Sequence, residues 1–260
     1  MEKSQYHLKI KHGDVGEYVI LPGDPARCAY IAENFDNPSL VASNREFTTF
    51  SGFLEGIKVS VTSTGIGGPS AAIALEELIR AGARVFIRAG TCGGINEKVC
   101  PGDLVIATAA VRQEGTSGEY APRSYPAAAD FEVTCRLAAS AESQGFKSHI
   151  GVVQSKDSFY GQHFPESMPV YEKLIYSWRA IKKLGVLASE MEAAALFTVA
   201  ASRGVKCGAV LGCVWNRESS GGGDSFALES IAESAAKDAV KCAVEAIRLL
   251  IKDSFKSSAK

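Results

Sequence analysis

The stretch Lys58-Val-Ser-Val-Thr-Ser63, running into Thr64-Gly-Ile-Gly-Gly-Pro69 and then into Ser70 to Arg80, decides the fold class. The first six residues read as a short strand and the glycines as a loop, and Ile73, Leu75 and Leu78 recur as they would on a helix. The same order stands on either side. Tyr18-Val-Ile-Leu21 stops at Pro22-Gly23-Asp24-Pro25 and gives way to a helix over Ala26 to Asn34, and Arg84-Val-Phe-Ile-Arg88 ends in Ala89-Gly-Thr-Cys-Gly-Gly94. Asp103 to Thr108, His149 to Val153 and Cys207 to Val214 read as further strands.

Strands that alternate with helices, several of them apolar on both faces, predict an α/β sheet covered on both sides. In such a sheet the binding crevice lies beyond the carboxyl ends of the strands, where the glycine-rich segments fall. Asp130 to Gly145 reads as another helix. A last one runs from Phe226 to about Lys252, with Leu228, Ile231, Ala235, Ala239, Cys242, Ala246 and Leu250 as its apolar stripe. The polar tail Ser254 to Lys260 reads as frayed. Neither a linker nor an internal repeat divides the chain, so residues 1–260 read as one domain.

Composition bounds the partners. Of 260 residues, 46% are hydrophobic and 22% charged, which excludes disorder, collagen and coiled coil. A chain of this length buries roughly 70 to 75% of its unfolded surface. The formal net charge of -1, with scattered signs, offers no basic stripe to a nucleic acid and no polybasic patch to a membrane, so the expected partner is a small molecule. Residues 1–12, MEKSQYHLKIKH, lack the apolar core of a signal peptide, and no run approaches the roughly 18 apolar residues of a membrane span. A cytoplasmic location is expected. Seven cysteines without a C-x-x-C pattern read as buried thiols, and the four histidines show no metal spacing, so no metal site is expected.

Glycine turns at strand ends suit anion binding, because glycine lets backbone N–H groups crowd around a phosphate; each could equally be a tight strand-to-helix turn. Arginine beside them shifts the balance: Arg27 follows Pro22-Gly23-Asp24-Pro25, Arg88 closes a strand before Gly90-Thr91, and Arg45 lies in Ser43-Asn-Arg-Glu-Phe47. An arginine that ends an apolar strand needs exposure or a partner, and its fork matches phosphate oxygens. Gly65-Ile66-Gly67-Gly68-Pro69-Ser70 approaches the dinucleotide fingerprint G-x-G-x-x-G, but Arg88 stands where that fingerprint needs an acid. Ser189-Glu190-Met191-Glu192 has two readings: a capping box with Ser189 as N-cap and Glu192 as its partner, or one carboxylate capping while the other reaches the crevice for sugar hydroxyls. After Asn216-Arg217, the segment Glu218 to Asp224 reads as a connection or as a lid over the crevice.

Taken together, LPGDPAR (21–27), SNREFTTF (43–50), TSTGIGGPSAAIALEEL (62–78), RAGTCGG (88–94), KDSFYGQ (156–162) and ASEMEAAALF (188–197) resemble the nucleoside phosphorylase family, in its pyrimidine-cleaving branch, from about Gln5 to Leu250. The resemblance implies a three-layer α/β/α sandwich with a mixed, barrel-like central sheet, and the reaction of nucleoside with phosphate to free base and ribose 1-phosphate. It implies phosphate binding by Gly23, Arg27, Arg88 and Thr91, with Arg45 supplied by the neighbouring subunit. Ribose falls to Glu190, Met191 and Glu192, with His7 and Tyr6 reaching across a dimer interface. Phe159, Gln162 and Arg217 face the base. Glu46, Ile66 and Ser70 match positions that hold a monovalent cation, such as potassium, in some members. Phosphate is then a co-substrate, no organic cofactor is needed, and a homo-oligomer with dimer-shared sites, three dimers to a hexamer, is expected.

Purine-cleaving relatives place an aspartate near Asn216, so Asn216-Arg217 favours a pyrimidine, with uridine expected. The usual pyrimidine pattern has an arginine where this chain has Phe164, and Ser167 does not restore it. Gln162 with His163 or Lys156 is expected to read the uracil edge in its place. A purine phosphorylase, a nucleosidase using water and a non-catalytic nucleoside binder are the alternatives.

Overall fold

Along the strand β5 (Val85–Gly94) successive side chains fall into two cores: Val85, Ile87 and Ala89 into one, Phe86 into the other. The period-two alternation of a strand thereby splits the apolar residues between two faces, and each face needs a covering layer. The computed structural model describes residues 4–216, 218 and 229–258. The strands are β1 (Tyr18–Leu21), β2 (Asp36–Asn44), β3 (Phe47–Leu54), β4 (Ile57–Thr62), β5, β6 (Leu104–Gln113), β7 (Ala127–Ala128), β8 (Ser148–Lys156), β9 (Ala188–Glu190) and β10 (Lys206–Asn216). The helices are α1 (Ala26–Ala32), α2 (Gly68–Ala81), α3 (Phe131–Ser143), α4 (Phe159–His163), α5 (Tyr171–Lys183), α6 (Ala193–Arg203) and α7 (Glu229–Ser258).

On one face Leu75 and Leu78 of α2 and Leu196 and Phe197 of α6 pack on Val19, Phe86 and Leu211. On the other, Ile31 of α1, Leu137 of α3 and Ala239, Ala243 and Ile247 of α7 pack on Ile20, Ile87 and Val210. The result is the three-layer α/β/α sandwich. Its sheet is mixed: β5 runs parallel to β1 and β10, β10 is antiparallel to β6, β6 is parallel to β8, β8 is parallel to β9, and β9 returns antiparallel to β5 at Gly93 and Gly94. Five strands therefore close on themselves, and β1, β4, β3 and β2 extend from the ring.

Several expectations change. Gly90 to Gly94 is not a loop but the far half of β5, paired with β10 through Asn216. Its glycines answer to close approach: a Cβ on Gly94 would stand 2.4 Å from Asn216 Nδ2. The hairpin β2–β3 went unread because β2 carries Pro38 and a mostly exposed, polar face at the sheet edge. The tail is not frayed from Ser254, since α7 continues to Ser258. The expected start of that helix at Phe226, with Leu228, lies outside the described residues, as does most of the segment read as a lid. Five cysteines are buried thiols, whereas Cys100 and Cys135 are exposed.

Candidate functional site

Arg88 follows Phe86 onto the face that α2 and α6 cover, so the strand carries its guanidinium into the protein, where the residue is 5% exposed. A buried guanidinium requires counter-charge. Glu190 supplies it at the end of β9, with Oε2 3.3 Å from Arg88 Nε, and Glu192 supplies it at the start of α6 through Arg88 Nη2. Among the described residues Arg88 Nη1 has no hydrogen-bond partner.

The two carboxylates divide the work. The capping box does not form, because Ser189 lies in β9 and Glu192 itself stands at the N-cap of α6 without a side-chain cap bond. Glu190 caps the helix instead, its Oε2 accepting the N–H groups of Glu192 and Ala193 at 2.8 and 2.9 Å. Ser155 at the end of β8 also donates to Glu190, and in turn accepts the Ala194 N–H at 2.8 Å. Burial pushes the Glu190 carboxyl up, and Glu192 adds to this, while Arg88 and these donors pull it back. Glu192 turns toward α2, where its Oε1 accepts the Gly67 N–H at 2.6 Å. That bond occupies the amide at the glycine turn, and Arg88 is engaged by carboxylates, so the dinucleotide fingerprint is not realised.

Beside this charged cluster runs a polar chain. Lys156 Nζ at the end of β8 donates to Ser189 Oγ at 2.8 Å, and Ser189 Oγ donates to Gln162 Oε1 on α4 at 2.9 Å. Burial draws the Lys156 ammonium below its ordinary value, and Glu190 and Glu192 oppose that shift. The Phe159 ring lies 5.9 Å from Lys156 Nζ and 4.3 Å from the His163 ring, which also meets Trp215 at 5.0 Å.

Arg88, Glu190, Glu192, Lys156, Ser189 and Gln162 line one cavity of about 750 Å³ at the carboxyl ends of the parallel strands. Gly23 enters from the turn after β1 and Arg27 from the first turn of α1, and Arg88 and Thr91 from β5. Glu190, Met191 and Glu192 come from the β9–α6 junction, and Lys156, Phe159, Gln162 and His163 from the end of β8 and from α4. A second cavity of about 990 Å³ adjoins it and shares Lys156, Gln162 and His163.

The sequence model of the Phosphorylase superfamily matches residues 17–250. The chain belongs to that superfamily. Uridine phosphorylase of Treponema pallidum is 50% identical over 95% of this chain and 94% of its own length, and uridine phosphorylase of Thermococcus kodakarensis is 43% identical over 96% and 87%. Guanosine phosphorylase of Halorubrum lacusprofundi is 40% identical over 79% and 81%. Superfamily members at comparable distance thus carry different base names, and the residues around the base must discriminate.

Glu46, Ile66 and Ser70, the expected monovalent-cation positions, border the same cavity. Ser70 Oγ lies 2.9 Å from Glu46 Oε1 and 2.5 Å from the Thr64 carbonyl. Gly65, at a left-handed φ of 67°, is required here, since a Cβ would stand 2.7 Å from Glu46 Cγ. His7 and Arg45 do not line the cavity of their own chain. His7 Nδ1 is held by Glu77 Oε1 at 2.8 Å, Arg45 is exposed at the β2–β3 turn, and Tyr6 is 71% exposed. Arg217 lies outside the described residues. Asn216 lines neither cavity; its Nδ2 donates to the carbonyls of Asn96 and Val99 at 2.8 and 2.6 Å, a bracing role. The sequence reading missed Ser155 and the role of Ser189, because a lone serine carries no signal of the partner its fold will give it. Among the described residues no helix is long and apolar enough to cross a membrane.

Proposed function

We propose that this chain cleaves uridine with inorganic phosphate, yielding uracil and ribose 1-phosphate. The observation that carries the reading is Arg88: a buried guanidinium flanked by Glu190 and Glu192, with Nη1 unpartnered among the described residues, in a cavity that also holds Arg27 and Thr91. A nucleosidase, which activates water, has no need of such an anion site. Phosphate is already a nucleophile, so the protein's task is to hold it in line with the anomeric carbon by Gly23, Arg27, Arg88 and Thr91. Bond cleavage builds positive charge on the sugar and negative charge on the departing base. Glu192, fixed by Gly67 and Arg88, takes the ribose hydroxyls together with Glu190 and Met191, beside the positive sugar. Phe159 stacks against the base, while Gln162, Lys156 and His163, with Arg217, supply hydrogen bonds that stabilise the leaving uracil.

His7 and Arg45 complete the site of a neighbouring copy, so the active unit is a dimer, assembled three to a hexamer. The whole chain acts as a single domain in the cytoplasm, with phosphate as co-substrate and no organic cofactor. The oxygens of Glu46 and Ser70 suit a hard monovalent cation such as potassium; hydrogen bonds, first from its own backbone N–H and then from Ser70, hold the Glu46 carboxyl below its usual range.

The test is to incubate pure protein with uridine, thymidine, inosine, adenosine or guanosine, with and without phosphate, and to assay free base. Phosphate-dependent release of uracil supports the reading. Phosphate-independent release means a nucleosidase, purine release a purine phosphorylase, and no release a binder.

A further inference from the structure

We propose that Ser189 is a positioning residue for base selection: it carries the donor polarity of Lys156 to Gln162 and locks that amide for a 2,4-dioxopyrimidine and against a 4-aminopyrimidine. The inference rests on the reading of Gln162 as a base contact. An ammonium has three donors and no acceptor. Ser189 Oγ, 2.8 Å from Lys156 Nζ, therefore accepts, and its single proton goes to the next group in the chain, Gln162, 2.9 Å away. That group must present oxygen, so the network fixes which end of the amide is Oε1 and which is Nε2.

The orientation has a chemical consequence. Gln162 Oε1 keeps one lone pair for a ring N–H, and Nε2 is left to donate to a ring carbonyl. Uracil offers an adjacent N–H and C=O on that edge. Cytosine has a bare nitrogen at the same ring position and needs the amide reversed. Reversal would turn Nε2 toward Ser189 and leave the hydroxyl proton without an acceptor at a residue only 3% exposed. One buried polar group left unpaired corresponds to roughly 10-fold to 100-fold in affinity. The polarity holds while Lys156 is protonated. Burial draws its pKa down, while Glu190 and Glu192, and to a smaller extent the Cys92 thiol on β5, oppose that shift.

The test titrates wild type, Ser189→Ala, Ser189→Thr and Lys156→Met with free uracil and with free cytosine by calorimetry, alongside turnover of uridine and cytidine. In wild type uracil is preferred. The preference falls at least about 10-fold in Ser189→Ala and in Lys156→Met, consistent with one unpaired polar group, and is kept in Ser189→Thr, which retains the hydroxyl. Raising the pH lowers the preference in wild type and leaves it level in Lys156→Met. A merely structural role would weaken both bases alike. An unchanged uracil-to-cytosine ratio in both Ser189→Ala and Lys156→Met overturns the proposal, as does a wild type that binds neither base. A wild type that binds uracil selectively through Ser189 but releases none from uridine would sink the proposed reaction and leave this inference standing.

Discussion

Glu192 accepts the backbone N–H of Gly67 at 2.6 Å and pairs through its other oxygen with Arg88, so one carboxylate ties the start of α2 to the central strand β5. These residues lie far apart in the chain, and their meeting aligns the carboxylates proposed for the sugar with the arginine proposed for phosphate. Replacing Glu192 with alanine strips Arg88 of one counter-charge and α2 of its cap. Loss of one partner of a buried pair costs about 3 kcal/mol, and loss of a group opposed to transition-state charge lowers turnover by at least about 100-fold. Thermal unfolding and uridine kcat/KM measure the two effects. Unaltered turnover would remove Glu192 from the ribose site.

Arg88→Lys keeps the charge but not the fork. The ammonium can face the two carboxylates, leaving no planar donor for phosphate. The phosphate KM is expected to rise at least about 10-fold, the equivalent of one charge-assisted hydrogen bond, with a smaller change in the uridine KM. Initial rates at varied phosphate decide it; equal shifts for both substrates would count against an anion site at Arg88.

Arg45 and His7 stand outside the cavity of their own chain, and the proposed function has them contribute in trans. Arg45→Ala and Arg88→Met are each expected to be inactive. Mixed after unfolding and joint refolding, they are expected to recover up to about a quarter of wild-type activity, since half of randomly paired two-fold dimers carry one intact site. A mixture as inactive as its components would show that Arg45 serves its own chain or none.

Asp103, between β5 and β6, accepts the Cys100 N–H at 2.9 Å and meets Lys147 and His149 at 2.9 and 2.8 Å. Burial alone would raise its pKa, but these donors hold the carboxyl below its usual value. A depressed folded pKa contributes stability that is complete above the unfolded pKa, near 3.9, and is lost as the pH falls through the folded one. Asp103→Asn is expected to be less stable at neutral pH by about 1 to 3 kcal/mol, with the gap to wild type closing in acid. Urea unfolding at several pH values reads this directly, and a gap that stays constant would refute it.

The glycine turns and the apolar runs of β1, β4 and β5 were legible because they obey local rules: a run too short for a helix, a breaker, then helical spacing. Arg88 was legible for the same reason, since a charge that ends an apolar strand demands a partner. Ser189-Glu190-Met191-Glu192 shows where local rules stop. The spacing fits a capping box, yet β9 pairs with β8 and β5 and draws Ser189 into the sheet, and Glu190 takes the cap. Likewise Gly90 to Gly94 looks like a loop until β10 arrives beside it. Asn216, the position at which the resemblance separates this chain from purine-cleaving relatives, is a brace for Asn96 and Val99. Each of these outcomes depends on a strand from another part of the chain, which no window of sequence contains.

The closed ring of β5, β10, β6, β8 and β9 bears on how the protein is made. Val85 pairs with Lys206 and Gly94 with Asn216, so the central strand lacks a full-length neighbour until β10 has left the ribosome. Until β9 is made, β5 has only β1 along its first half, and Arg88 has neither Glu190 nor Glu192. Pairings so distant in sequence form slowly and leave an apolar edge open meanwhile. The nascent chain therefore carries Arg88 unneutralised until Glu190 is made, and closure of the ring waits for β10, so the cavity that Arg88 lines is assembled late.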